Sequence, residues 1–251
     1  MFHFFRKVRV ALTPRSWSLG ARLANGAIVY GRNQAGYGGR GVYIFRDALE
    51  PEFEHLEKFL LSGGVFLDIG ANTGIYSIKA AKFLEPSGGV VIAVEPFPEM
   101  LATLSHNIRA NKFCNVRLRS ICLGEKVGAA ELWMNFDRPA SFSLLHRDEK
   151  ASCLSTLVFP LDHVFPLENL ARLDYVKIDV EGAEAQVLAG AHETLKKFRP
   201  IIQLEVDIAD APLNLPDYCA YRSPGGPNKV YFPNESPKIE MAVTLGWEKV
   251  N

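Results

Sequence analysis

Residues Val65 to Ser77 constrain the fold of this chain more tightly than any other stretch. Val65 to Ile69 is a short apolar run broken only by Asp68, the pattern of a strand covered on both faces. Gly70 and Gly74 supply conformations and close approaches that residues with a Cβ resist. From Ile75 the pattern turns helical through Ile78, Ala81 and Phe83. A strand, a glycine turn and a helix start place free N–H groups and the positive end of a helix dipole above the strand. A carboxylate in such a strand is costly unless something holds it. Asp68 is expected to hold a ligand.

The alternation continues downstream. Val90 to Val94 reads as a second strand ending in Glu95-Pro96, followed by a helix over Pro98 to Ala110 and a third strand over Val116 to Cys122. Tyr175 to Gly182 reads as a fourth strand, Glu184 to Phe198 as a helix and Pro200 to Val206 as a fifth strand. Alternation of this length implies right-handed crossovers and a mostly parallel α/β sheet, doubly wound by helices. Ala129 to Met134 and Thr156 to Leu161 are further expected strands around a long polar segment, Asn135 to Ser155, a candidate lid. Asp207 to Pro233 reads as a late loop rich in proline, glycine and tyrosine, followed by a helix to Leu245 and a last strand over Trp247 to Val250.

Residues 1–62 read as an extension before a main domain of residues 63–251. Met1 to Leu12 has the pattern of a basic amphipathic helix, able to dock on the main domain or to touch a membrane surface. Ala27 to Tyr30 and Val42 to Phe45 read as a hairpin around Gly36, Gly38 and Gly39, and a helix starts at Pro51.

Lys plus Arg and Asp plus Glu are both 28 in 251 residues, so no overall basic field points to nucleic acid. The basic residues are unevenly placed: eight of them precede Asp47, the first acid. The four cysteines, Cys114, Cys122, Cys153 and Cys219, lack metal-binding or redox spacing and suit a reduced, cytoplasmic protein. No run approaches the ~18 apolar residues of a spanning helix.

In an open parallel sheet, ligands bind beyond the carboxyl ends of the strands, where strand order reverses. Asp68, Glu95, Asp179, Glu181 and Glu205 all fall at such ends. Glu95, about twenty residues after the glycine turn, suits the two hydroxyls of an adenosine ribose. That placement fits NAD or S-adenosylmethionine. The turn separates them, because Asp68-x-Gly70-x-Asn72-x-Gly74 is not G-x-G-x-x-G. An acid there would repel a pyrophosphate and attract a sulfonium cofactor carrying an ammonium group. An NAD-linked oxidoreductase and a non-catalytic cofactor-binding module are the alternatives to a methyltransferase.

Asp68 to Ser77, Glu95-Pro96, the string Lys177-Ile178-Asp179-Val180-Glu181-Gly182-Ala183-Glu184, and Leu204-Glu205-Val206 together resemble the FkbM-type methyltransferase family. The resemblance runs from about Gly64 to Val206, and the Lys177 string is its most specific part. It implies a seven-stranded Rossmann-like sheet and S-adenosylmethionine-dependent O-methylation of sugar or secondary-metabolite hydroxyls. By position, Asp68, Gly70, Asn72 and Gly74 match the cofactor turn and Glu95 the ribose acid. Ser120, Ile121 and Cys122 match the adenine-facing segment, without the usual acid or amide.

Asp179 is the first candidate for base or acceptor anchor, with Glu181 and Glu205 next. These three acids could also hold Mg²⁺ through oxygen. Lys177 is expected to be the structural partner of a neighbouring acid, and Glu184 a helix-start acid. His106, His163 and His192 are weaker base candidates, and His146 would need the middle segment to close. Tyr218, Tyr221, Tyr231 and Phe232, with Arg222 and Lys229, would suit a sugar or an anionic acceptor, or would simply pack the late loop.

Overall fold

A computed structural model describes residues 2–34, 36–134, 142–143, 152–205, 215 and 217–250. The chain opens with α1 (Phe2–Leu12), β1 (Ser18–Arg22), β2 (Ile28–Arg32), α2 (Gly39–Phe45) and α3 (Pro51–Phe59). The alternating part begins with β3 (Val65–Ile69), α4 (Ile75–Leu84), β4 (Val90–Val94), α5 (Pro98–Asn111) and β5 (Val116–Arg119). Next come β6 (Cys122–Leu123), β7 (Gly128–Met134), β8 (Phe142–Ser143), β9 (Ser152–Phe159) and α6 (Leu161–Val164). The last third holds β10 (Tyr175–Ile178), α7 (Glu184–Ala189), α8 (His192–Phe198), β11 (Ile201–Glu205), β12 (Tyr218–Arg222), β13 (Asn228–Pro233), α9 (Lys238–Thr244) and β14 (Glu248–Val250).

Among the described residues the main sheet has eight strands, in the order β14-β12-β13-β11-β10-β3-β4-β5. The five from β11 to β5 are parallel. β13, β12 and β14 extend one edge in antiparallel pairs. Strand order reverses between β3 and β10, which opens a crevice above their carboxyl ends. The fold is Rossmann-like α/β, as expected, with β14 added beyond a seven-stranded sheet.

Alternation of side chains across the sheet divides the core in two. Phe66 and Tyr175 join Phe53, Leu56 and Phe59 of α3, and Ile78 and Leu84 of α4, on one face. Leu67, Ile69, Val176 and Ile178 pack against Val187, Leu188 and Leu195 on the other. Each fully buried side chain of this size contributes about 1.5–3 kcal/mol. Ala21, Val29 and Val42 of the opening segment belong to the first core.

The opening hairpin differs from its expected pairing. β2 pairs with Ser18–Arg22, not with Val42 to Phe45, and Gly39–Phe45 is helical. Tertiary contact overrides β-propensity there: a Cβ on Gly31 or Gly39 would overlap the other's backbone, and the helix that starts at that contact buries Val42 and Ile44. The outer edge of β2 is closed by side chains. Asn107 accepts from Tyr30 N at 2.8 Å and donates to Tyr30 O at 2.9 Å. Asn111, one helical turn on, does the same for Ile28 at 2.8 and 2.6 Å.

Three further expectations are corrected. The late loop contains β12 and β13, and Tyr221, Tyr231 and Phe232 are buried in the core. The expected helix from Glu184 to Phe198 breaks at Gly190, where a side chain would strike the Gly124 carbonyl. The third strand stops at Arg119. Cys122–Leu123 belongs instead to a separate sheet, of four strands among the described residues, ordered β6-β9-β7-β8. No helix among the described residues is long and apolar enough to cross a membrane.

Candidate active site

The turn after β3 bends because Gly70, Asn72 and Gly74 all take positive φ, at 75°, 51° and 86°. Gly70 N and Ala71 N both donate to the Val94 carbonyl at 3.0 Å, which locks the turn to the end of β4. Glu95 reinforces that link. One of its oxygens accepts from Asn72 N at 2.7 Å and the other from Phe97 N at 2.9 Å. Burial pushes the Glu95 carboxyl up to about 7, although the two backbone donors pull the other way. The opening segment covers this turn: the Asn72 side chain donates to Gly36 O at 3.3 Å, and a Cβ on Gly38 would overlap Thr73 Oγ1.

Asp68 is 1% exposed. Its Oδ2 accepts from Ser77 Oγ at 2.6 Å, whereas Oδ1 has no hydrogen-bond partner. Burial raises its pKa, opposed by the charge of Lys177 and the Ser77 bond. Lys177 pairs in register with Asp68 on the neighbouring strand.

The Lys177 ammonium donates to Asp179 Oδ2 at 2.7 Å and lies 4.9 Å from the Tyr76 ring centre. Burial alone would lower its pKa, but Asp179 and Asp68 more than offset that. For Asp179, burial acts to raise the pKa. The Lys177 charge and a hydrogen bond from Glu205 outweigh it and hold the carboxyl low. Glu205 carries the shared proton, its pKa raised to about 9 by that bond first and by burial second.

A buried chain of hydrogen bonds backs this group. Tyr175 Oη donates to Gln203 Oε1 at 2.8 Å, Gln203 Nε2 to Tyr76 Oη at 3.2 Å, and Tyr76 Oη to Glu50 Oε2 at 2.6 Å.

The crevice holds two lobes, of about 260 and 150 Å³, which share Gly36, Glu50, Gly70, Asn72 and Asp179 as lining. Glu95, Ile121, Cys122, Glu181 and Glu205 line the larger lobe, and Asp68 the smaller. All five rim acids therefore converge on one crevice. Gly74 shapes the turn as the N-cap of α4. Ser120 is exposed and lines neither lobe. The Cys122 thiol, pushed up to about 12 by burial and then by the Glu95 charge, presents a neutral surface.

Lys177 is the acid's partner, as expected. Glu184 accepts from Val180 N and Gly182 N at 3.2 Å each, which suits a helix-start acid. Glu50 and Gly36 had no signal in the sequence, because they reach the crevice from the opening segment. His106 stacks edge-on against Tyr30, 5.2 Å between ring centres, and His163 and His192 are exposed. His146, and most of the expected lid, lie outside the described residues.

Among the described residues no three His, Cys, Asp or Glu side chains form a group able to hold a metal ion. Asp179, Glu181 and Glu205, which the sequence offered as a possible Mg²⁺ set, do not form one among the described residues. Asp179 is occupied by an ammonium and a proton-bearing carboxyl, neither of which leaves a cation's donor set.

A family model described as the methyltransferase FkbM domain matches residues 68–212, more than half of the chain. The chain belongs to the FkbM methyltransferase family. A relative named Methyltransferase 1, from Beauveria bassiana (strain ARSEF 2860), is 24% identical over 171 residues, covering 57% of this chain and 68% of its own. Among solved structures, the methyltransferase FkbM of Methylobacillus flagellatus KT aligns at 20% identity and a TM-score of 0.48. That alignment covers 76% of this chain and 52% of the other, so the chain spans about half the length of this FkbM relative. A putative methyltransferase from Streptococcus mutans, solved in complex with SAH, aligns at 9% identity and a TM-score of 0.42, covering 71% and 92%.

Proposed function

We propose that this FkbM-family chain is an S-adenosylmethionine-dependent O-methyltransferase acting on a hydroxyl of a sugar, glycan or secondary metabolite. The observation that carries the reading is Asp68 Oδ1, an acceptor buried at the crevice without a partner. An unsatisfied buried carboxylate oxygen costs several kcal/mol unless a donor, best a cation, meets it. The cofactor's ammonium group is such a donor. A dinucleotide's pyrophosphate would instead face Asp68, Glu95 and Asp179. When bound, S-adenosylmethionine supplies a methyl group already activated by positive sulfur.

The chain's own residues would divide the remaining tasks. Asp68 would hold the ammonium, Glu95 would accept from the ribose hydroxyls, and Ile121 and Cys122 would flank the adenine. Asp179, kept ionised by Lys177, would anchor the acceptor hydroxyl. Glu205 stands at the open lip of the crevice. Once its proton has passed to solvent, its carboxylate is a stronger base than an ordinary one, and it would take the proton of the acceptor hydroxyl. The scattered spacing of the four cysteines supports placement in the reducing cytoplasm.

Calorimetry with S-adenosylhomocysteine, combined with methyl transfer from labelled cofactor to a panel of hydroxyl acceptors, tests the reading. Asp68→Asn should weaken binding by about tenfold to a hundredfold, the worth of a charge-assisted hydrogen bond. Glu205→Gln should bind as wild type and turn over slowly. Absence of binding by the wild type would sink the proposal. So would binding without transfer to any hydroxyl, the behaviour of a non-catalytic module.

The pH dependence has a definite sign. With its pKa raised to about 7 in the fold, Glu95 contributes stability below its unfolded value that is lost as pH rises through 7. Ribose hydroxyls donate to the ionised form, so cofactor affinity should run the opposite way, tightening between about pH 6 and 8. Affinities measured across that range, beside melting curves of the ligand-free protein, check both directions.

A further inference from the structure

Helix α1 faces the wrong way for a helix whose only task is to dock. It contacts the rest of the chain through Val10, 4% exposed and packed on Leu19 and Ile44, through Arg6, whose guanidinium donates to Ile44 O at 3.0 Å, and through His3 and Arg9, which meet the rings of Phe45 and Tyr43. At about 100° per residue, Phe4, Val8, Leu12 and Phe5 fall within an arc of roughly 100° on the side opposite Val10. Those four are 67%, 41%, 80% and 63% exposed. Trp17, just beyond the helix, is 64% exposed.

Charge decides what covers this apolar stripe. Lys7 and Arg9 border it on either side, Arg15 follows, and the first acid of the chain is Asp47. A second copy of the same face would set these cations against their own kind. An anionic bilayer answers both features, taking aromatic and aliphatic side chains to the depth of the headgroups while its charge meets the flanking Lys and Arg. Aromatic side chains, an indole among them, favour that boundary layer. We infer that α1 and Trp17 form a peripheral membrane-docking surface that seats this protein on anionic lipid.

α2 connects this helix to the crevice. Its C-terminal part packs under α1 through Tyr43 and Ile44, and Gly36, just before it, lines the crevice.

The test is flotation of the full chain with vesicles of phosphatidylcholine alone or mixed with phosphatidylserine, with tryptophan emission recorded and Trp17→Phe as the spectral control. The protein should float with the anionic vesicles and shift its emission to the blue. Partition should drop on raising salt to about 0.5 M, where charges are screened. Phe4→Ser, Phe5→Ser and Leu12→Ser combined should weaken partition by roughly tenfold or more, and Lys7→Glu with Arg9→Glu should remove the preference for anionic lipid. These side chains are exposed, and unchanged melting curves would show the fold intact. Failure to bind either vesicle, equal binding to both, or wild-type binding by the triple variant would overturn the inference. So would dimerisation through this face without vesicle binding.

Discussion

Lys177→Met should destabilise the protein by about 3–5 kcal/mol in urea unfolding, the range for breaking a buried charge pair from one side. Lys177 sits between Asp68 and Asp179, bonded to the second and in register with the first. With the ammonium gone, both carboxyls face each other and Glu205 without a counter-charge. Their pKa values rise in the fold, so their contribution to stability is present below the unfolded values and lost as pH rises. The deficit relative to wild type should therefore be largest near neutrality and shrink toward acid pH. A constant deficit would mean that lost packing on Tyr76, not charge, accounts for it.

Gly70→Ala should be comparably damaging, about 3–5 kcal/mol, for a different reason. Gly70 has φ 75°, and an added Cβ would fall on the Asp179 carbonyl oxygen. Substitution would strain the backbone and wedge apart β3 and β10 at the point where strand order reverses. Gly26 is the control: its φ is 89°, but nothing lies within 4 Å of its Cβ position. Gly26→Ala should cost only about 1–2 kcal/mol, the penalty of the left-handed conformation. Equal melting temperatures for the two variants would show that the contact with Asp179 is immaterial.

Much of the crevice was legible because its signals are local. Asp68, Gly70 and Gly74 stand within seven residues, and an acid at the end of four of the five parallel strands marks the same rim of the sheet. What was not legible depends on residues far apart in the chain. Glu50 reaches the crevice through Tyr76, across 26 positions, and nothing around Pro51 announces it. The string from Val42 to Phe45 has strand propensity, yet the Gly31–Gly39 contact and the pocket for Ile44 make it helical. β12 and β13 were hidden by proline, glycine and tyrosine, residues that suit both loops and the edge of a sheet. Ser120 fell outside the crevice because the chain leaves the main sheet at Arg119 and re-enters order in a second one.

The closed edge of β2 has a bearing on how the protein behaves at high concentration. A two-stranded ribbon normally presents a row of free N–H and C=O groups on which another chain can extend the sheet. Here the amide groups of Asn107 and Asn111, spaced by four residues on α5, satisfy the N–H and C=O of Ile28 and Tyr30. Strand addition and its aggregated products are closed off at that edge without a third strand.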